Sequence, residues 1–377
     1  MPIGTRESER IDQFLAEALS EAERIFASNP RLESLFQQLR GFILRGGKRV
    51  RPRLCLASFR ILDGRTDPPK SVWQVAISLE MFHAFMLIHD DIIDCSVLRR
   101  DEPTLHEALR PVESLGSERA DAKRGGDLAI LGGDLLCALA MRLVARAGLV
   151  DESLGRACRL LADMLVETGV GEVMDVVSES DPLDCLDEST LIETYLRKTA
   201  RYTISGPMVL GATVAGASPV VCSALDRFGD LLGLSFQINN DLNALGRDPA
   251  TGDHSDLDSG KRTYLLWSAY HSSTRRRRSE MRDLLARPHS IERRMRLHQL
   301  IVGSGAVGRC RARIQQLNDQ ALESLLEPGL STFQRIAFIE LVEQLGLKPS
   351  GPLSESFLTH SILPIEELTP RAACRFS

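Results

Sequence analysis

Apolar residues recur every three or four positions over most of this chain, with charged residues filling the intervals. That spacing gathers the apolar side chains on one face of a helix. It predicts helices at about 7–28, 32–45, 70–95, 128–148, 151–178, 188–204, 219–245, 262–270, 290–303, 305–326 and 331–346. Helix breakers fall between them: Gly46-Gly47, Pro68-Pro69, Gly125-Gly126, Asp181-Pro182, Asp248-Pro249 and Pro328-Gly329. Clear strand runs are hard to find, and no repeat of fixed period is present. The pattern reads as an all-α domain over 1–348. The remaining stretch, 349–377, is rich in Pro, Ser and Thr and is expected to be a loosely ordered tail.

Composition narrows this picture. With 377 residues, 43% of them apolar, the chain can bury a large core. A net charge of −5 argues against a dedicated nucleic-acid binder. The eight cysteines form no CxxC pair and no metal-ligand spacing, so they read as reduced thiols, mostly small core residues. The N-terminus enters a charged amphipathic helix without an apolar signal core. The most apolar stretch, 128–150, contains Asp134, Arg142 and Arg146, and so reads as a buried helix rather than an integral membrane span. A cytoplasmic protein is expected. The run Arg275 to Arg278 reads as a solvated helix start or loop rather than a binding patch.

Candidate chemistry is concentrated in HDDIIDCSVLRRDEPTLH (89–106). Asp90 and Asp94 are four apart, so on a helix they project from one face about a turn apart. Carboxylates stacked in this way offer hard oxygens to Mg²⁺, which shares its remaining positions with water and substrate phosphates. Arg99 and Arg100 add planar donors for phosphate oxygens. Met86 and His83 lie one and two turns deeper on the same face, and Leu79, Phe82 and Leu87 beside them suit a core. The helix thus has a carboxylate mouth above an apolar shaft. A solvated acidic helix end would account for DDIID alone, but not for the arginine pair and PTLH that follow.

This segment resembles the first aspartate-rich motif of the trans-isoprenyl diphosphate synthases, with DDxxD, the arginine pair and PT-x-H in register. Further matches follow in order. GGKRVRP (46–52) resembles the isopentenyl-diphosphate loop, and LAILGGDLLCALA (128–140) the AxLxGDxLL helix. GEVMD (171–175) resembles GQxxD with Glu172 in place of Gln, and LRKTARYT (196–203) the K-T/S-A segment. FQINNDLNALGRDPATG (236–252) and SDLDSGKRT (255–263) resemble the second acidic motif and its lysine loop. The resemblance runs over roughly residues 40–265.

It implies an isoprenoid-synthase helical bundle in which the two acidic motifs face a central cavity, and a homodimer. Its substrates would be isopentenyl diphosphate, held by Lys48, Arg51, His83 and Arg100, and an allylic diphosphate, held by Arg99, Lys198, Thr199, Gln237 and Lys261. Three Mg²⁺ ions would be bound among Asp90, Asp91, Asp94, Asn240, Asp241 and Asp256. Asp90, Asp94, Lys198 and Lys261 would carry catalysis. The product would be short, C20 before C15, because Phe85 and Met86 stand in the shaft below the first motif. No protein nucleophile is needed, and no Ser–His–Asp or Cys–His signature is found.

The second motif departs from the pattern. Asn240 stands where the first aspartate belongs and Ala244 where the last does, with Asp248 one turn further on. A neutral amide oxygen is a weaker ligand for a hard dication than a carboxylate. The spacing of Asn240, Ala244 and Asp248 partly resembles the second metal motif of terpene cyclases. Three readings therefore stand: a chain-elongating synthase, a cyclase or diphosphate lyase on the same fold, and a catalytically weak regulatory or partner subunit. The filled isopentenyl positions, which a cyclase does not need, favour the synthase.

Overall fold

The computed structural model describes residues 3–26, 29–111, 116–246 and 255–347. Among these residues the chain is helical almost throughout. In order come α1 (Ile3–Phe26), α2 (Pro30–Leu44), α3 (Val50–Asp63), α4 (Lys70–Ile93), α5 (Leu105–Ala108), α6 (Glu118–Ala145), α7 (Asp151–Ser178) and α8 (Glu188–Tyr195). A π-helix (Leu196–Ser205) leads into α9 (Gly206–Val214), α10 (Pro219–Leu245), α11 (Ser255–Ser259), α12 (Tyr264–His271), α13 (Arg275–Leu285), α14 (Ile291–Val302), α15 (Ala306–Ser324) and α16 (Thr332–Gln344). Two short strands, β1 (Leu98–Arg99) and β2 (Glu102–Pro103), pair antiparallel after α4. The expected tail, 349–377, lies outside the described residues, as does Asp248.

The chain divides into two compact units. One comprises the residues up to Asp163 together with Gly206–Ala217, the other Met164–Ser205 and the residues from Ser218 onward. The division falls within α7.

In the first unit, α4 packs against α3 and α6 and also touches α1 and α2. It buries Trp73, Ile77, Leu79, Phe82 and Ile88. Its approach to α6 depends on Gly133, where a Cβ would lie 2.6 Å from His89 Nε2. α3 packs on α9 at Gly211, where a Cβ would run into the carbonyl of Cys55. The periodicity missed both α3 and α9 because each is buried on much of its circumference, which blurs the apolar stripe.

α6 begins ten residues before the predicted start of 128, capped by Ser117, whose hydroxyl accepts from the Ala120 N–H. The expectation that this helix is buried holds for one face only. Ala129, Leu136 and Val144 are buried, whereas Ile130, Leu131 and Leu135 are exposed. α4 and α6 are each long and apolar enough to cross a membrane by length and composition, with 67% and 33% of their apolar stretches buried.

In the second unit, α10 lies between the π-helix and α15. Around it, Tyr195, Leu234, Ile238, Tyr264, Tyr270, Leu297 and Leu317 form a continuous core with their neighbours. The π-helix fits closely between α7 and α10. A Cβ at Gly171 would strike the backbone of Arg197 and Lys198, and one at Gly233 would strike Ala200. The arginine run opens α13, as expected of a solvated helix start, although two of its side chains also reach neighbouring carbonyls. Arg278 donates to the carbonyls of Ser273 and His271, and Arg277 to that of Gly303. These contacts place positive charge at helix C-termini, while Arg275, Arg276 and Arg277 are all exposed and only Arg278 is half-buried.

Candidate active site

The first acidic motif closes α4, and its three aspartates lie in different surroundings. Asp90 is half-buried, Asp94 is exposed, and Asp91 is buried. Arg99 Nε donates to both Asp91 oxygens at 2.8 and 2.9 Å, while its Nη2 lies 3.4 Å from Asp90 Oδ2. Burial raises the Asp91 pKa, and the hydrogen bond and charge of Arg99 oppose that shift. Asp91 thus braces the arginine turn, while Asp90 is half-buried and Asp94 exposed.

The backbone here is strained. Cys95, Arg100 and Asp101 have φ of 52°, 55° and 63°, in the left-handed region that non-glycine residues rarely occupy. The tight turn brings Arg100 onto the loop before α3, where its guanidinium donates to the carbonyl of Gly46. Gly47, at φ 146°, leaves room for that guanidinium: a Cβ there would lie 3.1 Å from Arg100 Nη1.

A pocket forms beside this contact, bounded by Arg45, Arg49, Glu80, His83, Arg99 and Arg100. Of the expected isopentenyl ligands, Lys48 is exposed, Arg51 buried, and His83 and Arg100 belong to the pocket wall. The His83 pKa is pushed well below the usual histidine range, first by desolvation and then by the charges of Arg51, Arg100, Arg99 and Arg49. His83 is therefore neutral near pH 7, a hydrogen-bonding group in a strongly cationic pocket.

Arg49 was not singled out from the sequence. It has a left-handed backbone with φ of 48°, and its side chain is 3% exposed. It donates to Asp12 at 2.7 Å, to Glu80 at 2.7 Å and to the carbonyl of Ile43 at 2.8 Å. It thereby ties the loop to α1, α2 and α4. The available signal was Glu80, an acid in the apolar middle of α4 that needs a buried partner.

The shaft residues also diverge. The Phe85 ring meets His89 edge-on at 4.7 Å and lies 3.5 Å from the position of a Cβ on Gly133 of α6. Phe85 therefore stands on the α6 side. Met86, four residues before Asp90, is half-buried.

In the second unit the π-helix carries Lys198 and Thr199, both half-buried. Lys198 Nζ is 3.0 Å from Glu172 and 2.6 Å from Asp175, and Lys261 Nζ is 3.1 Å from Asp175. Burial alone would raise the Asp175 pKa, but Lys261 and Lys198 outweigh it and hold the carboxyl low. The Lys261 loop is anchored by Arg294, which grips Asp258 at 2.7 and 2.6 Å, and by Thr263, which caps α12.

Asp241 is 4% exposed, and both its oxygens accept hydrogen bonds. Tyr195 Oη donates to Oδ2 at 2.6 Å and Gln237 Nε2 to Oδ1 at 3.3 Å, while the Tyr264 N–H donates to Tyr195 Oη at 2.8 Å. Burial, followed by the Asp241 charge, raises the Tyr195 pKa far above its usual value, so the hydroxyl stays protonated. This chain of bonds joins the second motif to the backbone just after the lysine loop. Asn240 is half-buried beside it. Asp256 is the second residue of α11, but its side chain lies outside the described residues.

Among the described residues, no three His, Cys, Asp or Glu side chains converge as a ready-made metal cage. The half-buried Asp90 and exposed Asp94 are of the residue type that suits the different habit of Mg²⁺, which binds through one or two carboxylates and completes its shell with water and phosphate.

Comparison with known proteins agrees with this chemistry. The polyprenyl synthetase family model matches residues 33–301. The chain is 30% identical to a geranylfarnesyl diphosphate synthase of Aeropyrum pernix over 287 residues, covering 74% of this chain and 83% of that protein. It is 31% identical to a short chain isoprenyl diphosphate synthase of Methanothermobacter thermautotrophicus over 288 residues, covering 76% and 79%. Among solved structures, a geranylgeranyl pyrophosphate synthase of Corynebacterium glutamicum complexed with isoprenyl diphosphate and magnesium superposes with a TM-score of 0.78 at 29% identity. That match covers 90% of this chain and 97% of the other. The chain belongs to the polyprenyl synthetase family and is a trans-prenyltransferase.

Proposed function

We propose that this enzyme condenses isopentenyl diphosphate with an allylic diphosphate to give a short prenyl diphosphate, C20 before C15. The observation that carries the reading is the pocket in which Arg100 meets the Gly46 loop beside a neutral His83. A second diphosphate needs such a cationic pocket, whereas a cyclase or lyase does not. Arg51, His83, Arg100 and the exposed Lys48 hold isopentenyl diphosphate. Lys198, Thr199, Gln237, Lys261 and Arg99 hold the allylic diphosphate and stabilise it as it leaves. Bound Mg²⁺, proposed as three ions with Asp90 and Asp94 as principal anchors, supplies the Lewis-acid charge for that departure. The double bond of isopentenyl diphosphate attacks the allylic cation, and the proton lost afterwards passes to the released diphosphate. The apolar residues beneath Asp90 exclude water that would quench the cation.

Incubation with Mg²⁺, isopentenyl diphosphate and allylic diphosphates of three lengths is the direct test. Consumption of isopentenyl diphosphate with a lengthened product is expected. Release of diphosphate from the allylic substrate alone would instead mark a cyclase or lyase.

Asn240 gives that second reading its support. In a synthase, Asn240→Asp raises activity or Mg²⁺ affinity, because a carboxylate replaces a neutral oxygen. In a cyclase tuned to the amide, the same change lowers cyclisation. Steady-state rates across a Mg²⁺ titration separate these outcomes, and no change in either would remove Asn240 from the ligand set.

Product length is assigned to Phe85 and Met86. Truncating Phe85 removes the ring packed against His89 and Gly133. Phe85→Ala, with Met86→Ala if needed, lengthens the product by one or more five-carbon units, read by chromatography of the dephosphorylated prenols. An unchanged product from the double variant would place the floor elsewhere.

The exposed Ile130, Leu131 and Leu135 of α6, and Val166, Val173 and Val177 of α7, support a homodimer. Sedimentation at twice the chain mass is expected. The thiols of Cys55 and Cys310, both pushed up to about 12 chiefly by burial, behave as inert core groups.

A further inference from the structure

Glu172 occupies a position where its charge matters. With Asp175 it holds Lys198 Nζ at 3.0 and 2.6 Å, while Asp175 also meets Lys261 at 3.1 Å. The Glu172 and Asp175 side chains are only 14% and 9% exposed, so solvent screens this group weakly. Two ammonium groups and two carboxylates leave the cluster with no net charge. Asp175 alone would leave it positive. The exchange is reciprocal within this unit: an acid stands at 172 where the related motif carries an amide, and an amide stands at 240 where it carries an acid.

A metal-free diphosphate is a polyanion, and it must compete with Glu172 for Lys198. A metal-loaded diphosphate carries less negative charge and presents a cation, which a neighbouring carboxylate attracts. We propose that Glu172 is a specificity-determining residue that makes this subsite select the metal-loaded diphosphate over the free anion. The inference rests on the assignment of Lys198 and Lys261 to the diphosphate.

The test is calorimetric titration of the full chain with inorganic diphosphate, once in excess chelator and once in saturating Mg²⁺. Glu172→Gln is nearly isosteric and removes only the charge, and Glu172→Ala is a second variant should the amide disturb folding. Without metal, the charge-free variant is expected to bind diphosphate about tenfold more tightly than the wild type. With Mg²⁺ the difference should vanish or reverse. An equal gain in both conditions, or none in either, overturns the proposal. Lys198→Ala checks the underlying assignment. Weaker binding in that variant keeps the subsite in place whatever Glu172 does, whereas wild-type binding would move the diphosphate elsewhere and overturn both.

Discussion

Asp90→Ala is expected to lower kcat/KM by about 100-fold or more, the usual scale for losing one electrostatic anchor of a transition state. It should do so without unfolding the protein. Asp90 sits half-buried at the end of α4, and its contact with Arg99 is long at 3.4 Å. Arg99 keeps its two-oxygen grip on Asp91 when Asp90 is truncated, so the strained turn carrying Arg100 stays in place. Asp94, exposed at the helix end, should behave in the same way. Asp91→Ala is the informative contrast, because it deprives a half-buried guanidinium of its main brace and should lose stability as well as activity. Steady-state rates paired with thermal melts distinguish the two classes. Near-wild-type rates in Asp90→Ala would remove it from the metal site.

Arg49→Ala has the largest expected effect on stability, a loss of about 3–5 kcal/mol, the range found when one partner of a buried ion pair is removed. The cause is the group left behind. Glu80, 8% exposed on its side chain, would be buried without its counter-ion, and the carbonyl of Ile43 would lose a donor. Replacing both members, Arg49→Met with Glu80→Leu, should recover much of the loss, because an apolar pair of similar volume avoids the desolvation penalty. Urea unfolding of the two single variants and the double variant measures this. A single variant as stable as the wild type would show that the pair contributes nothing to holding the loop on α4.

The helical class and the first motif were readable because their signals are local, whereas α3 and α9 left no legible stripe. Asp90 and Asp94 share a face through helical spacing alone, whereas the caps at Ser117 and Thr263 emerge only with the structure. The roles of neighbouring residues were less accessible. Asp90 and Asp91 are adjacent and chemically identical in the sequence, yet Asp90 is half-buried with one long contact to Arg99, whereas Asp91 is buried and takes that guanidinium's short bonds. Arg49 and Lys48 are likewise adjacent basic residues in one loop. A left-handed φ turns Arg49 inward to Glu80, thirty-one residues away, while Lys48 stays in solvent.

What the sequence determined by itself is the helical class, the family and the inventory of charged groups, because periodicity and motif spacing depend on residues close along the chain. The tertiary structure alone decided which of those charges are spent on one another. Packing brings Lys198 between Glu172 and Asp175, and Asp241 onto Tyr195, from segments 23 to 46 residues apart. The close fit of glycines on α7 and α10 fixes the depth of the π-helix that carries Lys198. The free energy of a buried charge depends on what surrounds it in space, and no local pattern encodes those surroundings.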